Sequence, residues 1–213
     1  MVIVLLGAPG AGKGTQAPIL ASRLGVPILA SGDLLRAVVR SGSELGRELD
    51  TVMRSGALVS DATTVRIFLD RLAAPDAANG AILDGFPRTA AQAKALDVAL
   101  ADQGARVDAA ILIDVPAADL VERMTGRLIC RLDSTHVYNS LTKPPLRDRV
   151  CDIDGSELLQ RADDAPDTVR ARMAKQLVPL AEVVAHYRDA GILRIVDGRR
   201  SIDAVTDEVM AAL

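Results

Sequence analysis

Tryptophan is absent, and only two tyrosines and two phenylalanines occur in 213 residues. Such a chain has little with which to stack the bases of single-stranded nucleic acid. Two cysteines, Cys130 and Cys151, are too few for the disulfide framework of a small secreted domain. No run of ~20 apolar residues is present to span a bilayer. The apolar start MVIVLLGAPG has no basic flank, and no small-residue cleavage site follows a long apolar stretch. A soluble, cytoplasmic protein is the expectation. Net charge is only −3, so bulk electrostatics do not draw polyanions to the whole molecule. Any anion site must be a local gathering of donors. Lysine is scarce and most basic residues are arginine, so a lysine inside a motif carries more information than any single arginine.

Hydrophobic residues make up 49% of the chain and charged ones 25%, enough apolar content for a full core. Five apolar runs read as buried strands: VIVLLG, VPILAS, GAILDGFPR, AAILIDVP and ILRIVDG. Helical segments alternate with them. KGTQAPILASRLG carries a blemish at Pro18, and Gly42 and Gly56 break a set of short helices after Gly32. DATTVRIFLDRLAAP reads as a helix with an Asp or Thr N-cap. AADLVERMTGRL reads as one helix, and APDTVRARMAKQLVPLAEVVAHYRDAG as a long one dented at Pro179. This alternation predicts an α/β protein with a parallel sheet covered by helices on both faces. From about Leu128 to Arg161 the pattern changes to short strand-like pieces, Pro144-Pro145 and both cysteines, as in an inserted subdomain.

The segment GAPGAGKGTQ, Gly7 to Gln16, lies between the first strand and the first helix. It nearly fits the phosphate loop G-x-x-x-x-G-K-[ST], but Gly14 follows Lys13 and the hydroxyl comes one residue later, on Thr15. A glycine-rich strand-to-helix turn points backbone N–H groups at an anion, and the helix N-terminus adds to them. Lys13 supplies a point charge.

With glycine after the lysine, this loop resembles that of the nucleoside monophosphate kinases, most closely the adenylate kinases. The resemblance runs through the whole chain in order. It implies a three-layer P-loop NTPase fold with a five-stranded parallel sheet and two insertions. Residues 1–29, 60–125 and 165–213 would form the core, residues 30–59 an AMP-binding insertion, and residues 126–164 a lid. The implied reaction is Mg²⁺-dependent phosphoryl transfer from ATP to AMP giving ADP, serving adenine nucleotide homeostasis, in a monomer with no nucleic acid or membrane partner. Gly10, Ala11, Gly12, Lys13, Gly14 and Thr15 would hold ATP phosphates. ASGDLLR resembles the AMP segment and implicates Ser31 and Arg36; GALVS implicates Ala57, Leu58 and Val59 facing the AMP base. LDGFPRT is the most telling motif. By resemblance Asp84 orients a Mg²⁺-bound water, Gly85, Phe86, Pro87 and Arg88 hold AMP, and Gln92 reads its adenine. Arg127, Arg161 and Arg172 are implied on phosphates, with Arg170 in support. Arg123, Val137, Tyr138 and Arg200 are implied around ATP. Asp163 and Asp164 resemble carboxylates that tie the lid to the Mg²⁺ water shell, or else they cap the following helix.

Charge explains the need for this arginine set. Two unit charges ~4 Å apart repel by ~4 kcal/mol at an effective dielectric of 20. Two nucleotides can be aligned in line only if their phosphates are neutralised, and the planar guanidinium does so with two donors. A closing lid would exclude water.

The lid cysteines stand in Cys130-x-x-Asp133 and Cys151-x-x-Asp154. Many bacterial adenylate kinases carry C-x2-C and C-x2-[CD] there and bind structural Zn²⁺; this chain has aspartate at both second positions. A Cys₂Asp₂ zinc site is one reading, with His136 as a replacement ligand. A metal-free polar network is the other. For function, the alternatives are a UMP/CMP kinase or a GTP:AMP phosphotransferase. A hydrolytic nucleotide switch would want Ser or Thr after Lys13, and a GTP switch N-K-x-D; the chain has neither.

Overall fold

A computed structural model describes residues 1–54, 59–133, 136–141, 143–160 and 164–213, excluding the side chains of Met53, Arg54 and Arg172. Ala57, Leu58, Gly56, Arg161 and Asp163 lie outside the described residues.

The five apolar runs form one parallel sheet. β1 (Val2–Leu6) is central, between β3 (Ala81–Asp84) and β4 (Val107–Asp114). β2 (Ile28–Ala30) and β8 (Leu193–Asp197) are the edges, giving the order β2-β3-β1-β4-β8. β1 is wholly buried because helices cover both of its faces. On one face Ile3 and Leu5 meet Leu20 of α1 (Lys13–Leu24) and Val205 and Val209 of α8 (Ile202–Ala211). On the other, Val4 and Leu6 join Phe68 of α4 (Asp61–Leu72), Leu96 of α5 (Ala90–Ala101) and Val183 and Tyr187 of α7 (Pro166–Asp189). Phe68 and Phe86 stack with ring centroids 4.0 Å apart. They are the chain's only phenylalanines, so its scarce aromatic area sits where one face of the sheet meets the LDGFPRT loop.

Chain order leaves β1 beside both β3 and β4 while the chain crosses from one side of β1 to the other. A parallel sheet binds ligands at such a switch point, beyond the carboxyl ends of its strands. The GAPGAGKGTQ loop leaves β1 there. Under it, Ala8 and Ala11 pack on Ile113, on Leu120 and Met124 of α6 (Ala117–Thr125) and on Val169 and Met173 of α7.

Two insertions extend from this core. α2 (Ser31–Arg40) and α3 (Glu44–Arg54) form a helical pair that turns at Gly42, where φ is +66°. The second insertion is an antiparallel sheet of β5 (Arg127–Cys130), β6 (Val137–Asn139) and β7 (Leu158–Leu159) in the order β6-β5-β7.

Three local expectations are revised. AADLVERMTGRL is not one helix: α6 stops at Thr125, and Arg127 opens β5. Ser31 belongs to α2 rather than to the preceding strand. The N-cap of α4 is Ser60, whose Oγ accepts from the Thr63 N–H at 3.1 Å; serine satisfies an orphan donor as well as Asp or Thr does. Pro18 and Pro179 lie within continuous helices. Among the described residues no helix is long and apolar enough to cross a membrane.

Candidate active site

The phosphate loop has three glycines at positive φ, and at two of them, Gly7 and Gly10, an added Cβ would also collide with neighbours. Gly7 has φ +147°, and a Cβ there would lie 2.9 Å from the Ile113 carbonyl oxygen. Gly10 has φ +85°, and its Cβ would lie 2.8 Å from Met124 Cγ. Gly14 differs: its Cβ would meet nothing within 4 Å. Crowding by protein therefore does not dictate the glycine that breaks the usual loop pattern.

Lys13 is the first residue of α1, and its side chain folds back across the loop. Its Nζ donates to the Gly7 carbonyl at 2.7 Å and to the Ala8 carbonyl at 3.2 Å. Burial lowers its pKa; Asp84 opposes that effect, and Arg88 and Arg127 add to it. Asp84 ends β3, in register beside Leu5 of β1. Burial raises its pKa, against the pull of Lys13 and Arg88. A half-buried carboxylate facing cations is a fitting place to hold the water shell of a divalent ion.

The LDGFPRT turn delivers the next groups. The Phe86–Pro87 peptide is cis. Gly85 has φ +72° and lies against Ser31, whose Oγ would be 2.9 Å from an added Cβ. Arg88 donates through Nε to the Gly85 carbonyl at 2.8 Å and through a terminal nitrogen to Ser31 Oγ at 2.8 Å. The sheet thus gathers Lys13, Asp84, Arg88 and Ser31 at one end. Gln92 is buried beside them, and Arg88 N–H donates to its Oε1 at 2.7 Å. Arg36 stays outside this group, in an exposed pair with Asp33 at 2.7 Å.

Arg127 opens β5 of the second insertion and acts on Lys13 through its charge. Asp164 grips it in a bidentate pair, with Nε to Oδ2 at 2.8 Å. Arg123 lines a cavity of about 220 Å³ with Asp119, Glu122, Leu141 and Arg199. Arg199 pairs with Asp197 at 2.9 Å, and its neighbour Arg200 pairs with Glu208 at 2.7 Å. Tyr138 turns its ring into the lid core, where its hydroxyl accepts from the Asp152 N–H at 2.8 Å. Its neighbour Val137 is half-buried on the same strand. Arg170 makes an exposed pair with Asp167 at 3.0 Å.

The second insertion gathers a donor set. One ligand atom each from Cys130, His136, Cys151 and Asp154 lies within 4.8 Å of the others. His136 Nδ1 is 3.1 Å from Asp154 Oδ2 and 3.5 Å from Cys151 Sγ, and Cys130 Sγ is 3.2 Å from Asp154 Oδ2. Asp133 is behind the cluster, with its Oδ2 3.5 Å from the outer nitrogen of His136. Ligand atoms of a tetrahedral zinc site stand roughly 3.3–3.8 Å apart, given bonds of ~2.0–2.3 Å. Two buried thiols, an imidazole and a carboxylate at this spacing fit such an ion.

Comparison with known proteins agrees with this geometry. A family model described as adenylate kinase matches residues 5–192. The chain is 44% identical to an adenylate kinase of Streptomyces avermitilis, over all of this chain and 97% of that protein. It is 46% identical to one from Kosmotoga olearia, over all of this chain and 99% of that protein. For one from Moorella thermoacetica the identity is 44%, covering 98% of that protein. With a phosphate loop, a half-buried carboxylate and arginines converging at one end of its sheet, the chain belongs to the adenylate kinase family, enzymes of nucleotide phosphoryl transfer.

Proposed function

We propose that this chain catalyses reversible transfer of the terminal phosphoryl group of ATP to AMP, giving two ADP, and so balances the adenine nucleotide pool. The observation that carries this reading is the convergence of Lys13, Asp84 and Arg88, which feel one another's charge across the carboxyl ends of β1 and β3. Loop residues Gly10 to Thr15 cradle the donor phosphates with backbone N–H groups. Lys13 moves from its own carbonyls to those phosphates. Arg88, with Ser31 and the Gly85–Pro87 turn, grips the acceptor phosphate, and Arg36 and Val59 border that site. Arg127, Arg161 and Arg172 neutralise the transferring group, with Arg123, Val137, Tyr138 and Arg200 around the donor nucleotide. Mg²⁺ carried with ATP supplies further charge neutralisation, and Asp84 holds its water shell. No protein nucleophile takes part; the residues align two anions and exclude water.

Residues 30–59 and 126–164 close over the core as substrates bind. The chain acts as a cytoplasmic monomer. Product analysis with Mg·ATP and each of AMP, CMP, UMP and GMP tests the reading, with ADP and free phosphate followed together. Two ADP per ATP with AMP, and no phosphate released, is the expected result. Transfer to CMP or UMP would move the substrate, and phosphate release without an acceptor would return the chain to the hydrolytic class.

The lid holds structural Zn²⁺ through Cys130, Cys151, Asp154 and His136, with Asp133 orienting the imidazole from behind. A carboxylate at the outer nitrogen of a ligating histidine fixes its ring and raises its basicity. Metal content of protein purified without added zinc tests this, alongside Co²⁺ absorption spectra of the parent, His136→Ala and Asp133→Ala. One metal per chain, with His136→Ala losing more affinity than Asp133→Ala, is expected. The reverse order would put Asp133 among the ligands, and a substoichiometric metal not restored by zinc would leave a metal-free polar network.

A further inference from the structure

Gln92 is the third residue of α5, and its side-chain amide is held from both ends. Its Oε1 accepts from the Arg88 N–H at 2.7 Å, and its Nε2 donates to Asp61 Oδ1 at 2.7 Å. Asp61 comes from the first turn of α4, 31 residues earlier in the chain. Its other oxygen accepts from the Thr89 hydroxyl at 3.2 Å, and Thr89 Oγ1 in turn caps the Gln92 N–H at 3.1 Å.

This arrangement has one permitted sense. A backbone N–H can only donate, and a carboxylate can only accept. Rotating the Gln92 amide by half a turn would set N–H against N–H and oxygen against oxygen. A glutamine amide has two donor hydrogens and two acceptor lone pairs, so one of each remains beyond these two bonds. Their positions are fixed together with the amide. Adenine presents an amine donor at N6 beside an acceptor at N1. Hypoxanthine presents the opposite pair, an acceptor at O6 beside a donor at N1. An amide free to flip serves either base equally.

We infer that Asp61 is a positioning residue that sharpens the specificity of the acceptor site for adenine, by adding a second penalty to the flip of Gln92 that the Arg88 N–H opposes. This rests on the reading that Gln92 faces the base of the acceptor nucleotide. Asp61 does not itself touch the nucleotide. It adds to the constraint set by the Arg88 N–H and so widens the distinction between AMP and IMP. The discrimination comes from unpaired polar groups in the wrong complex, a stronger rejection than shape alone supplies.

The test measures kcat/KM with AMP and with IMP for the parent, Asp61→Asn and Gln92→Ala. Asparagine at position 61 can donate as well as accept, so a flipped Gln92 is then opposed only by the Arg88 N–H. The AMP-to-IMP ratio should fall at least tenfold in Asp61→Asn, chiefly through gain with IMP. In Gln92→Ala the ratio should collapse through loss with AMP. If Gln92→Ala collapses the ratio while Asp61→Asn lowers both substrates in proportion, Asp61 only supports the fold and the inference fails alone. If Gln92→Ala leaves the ratio unchanged, Gln92 does not face the base, and both readings fail. Thermal melts of each variant separate loss of specificity from loss of fold.

Discussion

Arg127 and Asp164 form a bidentate ion pair between the first strand of the lid and the approach to α7, and the Asp164 side chain is fully buried. The side chain proposed to neutralise phosphate is thus already matched to a protein carboxylate. Removing the carboxylate leaves a largely buried guanidinium with less compensation. Asp164→Ala should lower stability by about 3 kcal/mol, read by urea unfolding. A change below half that value would mean that water replaces the carboxylate at little cost.

Asp84 should tie turnover and stability to pH in opposite directions. Burial raises its pKa. Turnover that needs the carboxylate therefore rises as pH climbs through that raised value. Stability runs the other way: the contribution is fully present below the unfolded value of ~3.9 and is lost as pH rises through the folded one. Asp84→Asn should lose the acid limb of the kcat profile and be at least as stable as the parent at pH 7. An unchanged acid limb would assign it to another group.

Tyr187 is the largest fully buried side chain, and its hydroxyl has no hydrogen-bond partner among the described residues. Burial pushes its pKa far up. The ring fills space between α7 and the sheet, but the hydroxyl is desolvated without return. Tyr187→Phe should be neutral or raise stability by up to ~1 kcal/mol, with activity retained. A clear loss on calorimetry would reveal a buried water bound to that hydroxyl.

Two glycines of the phosphate loop should respond in opposite ways. Gly14 has room for a methyl group, lies inside α1 and is not at positive φ, so Gly14→Ala should gain up to ~1 kcal/mol in stability. Gly10→Ala meets Met124 at positive φ and should lose more than ~1 kcal/mol. Equal melting temperatures for the two variants would contradict this account of the loop.

Arg88→Ala removes the guanidinium that joins Ser31 to the LDGFPRT turn. It should lower kcat/KM by about 10²–10³, as loss of a charge-stabilising donor does. Because Arg88 is exposed, the melting temperature should hardly move. Near-normal kinetics would remove it from the transferring centre.

The parts of the site that lie within one short segment were legible in the sequence. Gly7 to Thr15 and Asp84 to Arg88 each sit at a strand end, where apolar runs and turn residues announce them. What escaped depends on distant segments meeting. Asp61 meets Gln92 only because α4 and α5 start side by side, and nothing in DATTVR signals a partner 31 residues on. Cys-x-x-Asp spacing favours Asp133 over His136, yet His136 stands in the donor set and Asp133 lies against its outer nitrogen. The end of α6 was misplaced because TGRL continues a helical apolar spacing; the pairing of Leu128 with Tyr138 in the lid sheet overrides it.

The fold-back of Lys13 onto Gly7 and Ala8 gives the loop an internal counter-ligand. An arriving anion must win the ammonium from two carbonyl oxygens rather than from bulk water. Binding is then a contest between two ordered arrangements, and it is won by charge density. A phosphate chain of several negative charges competes for the ammonium better than an anion of single charge. The carbonyls thus keep the loop in register and tune it toward ligands of high charge density.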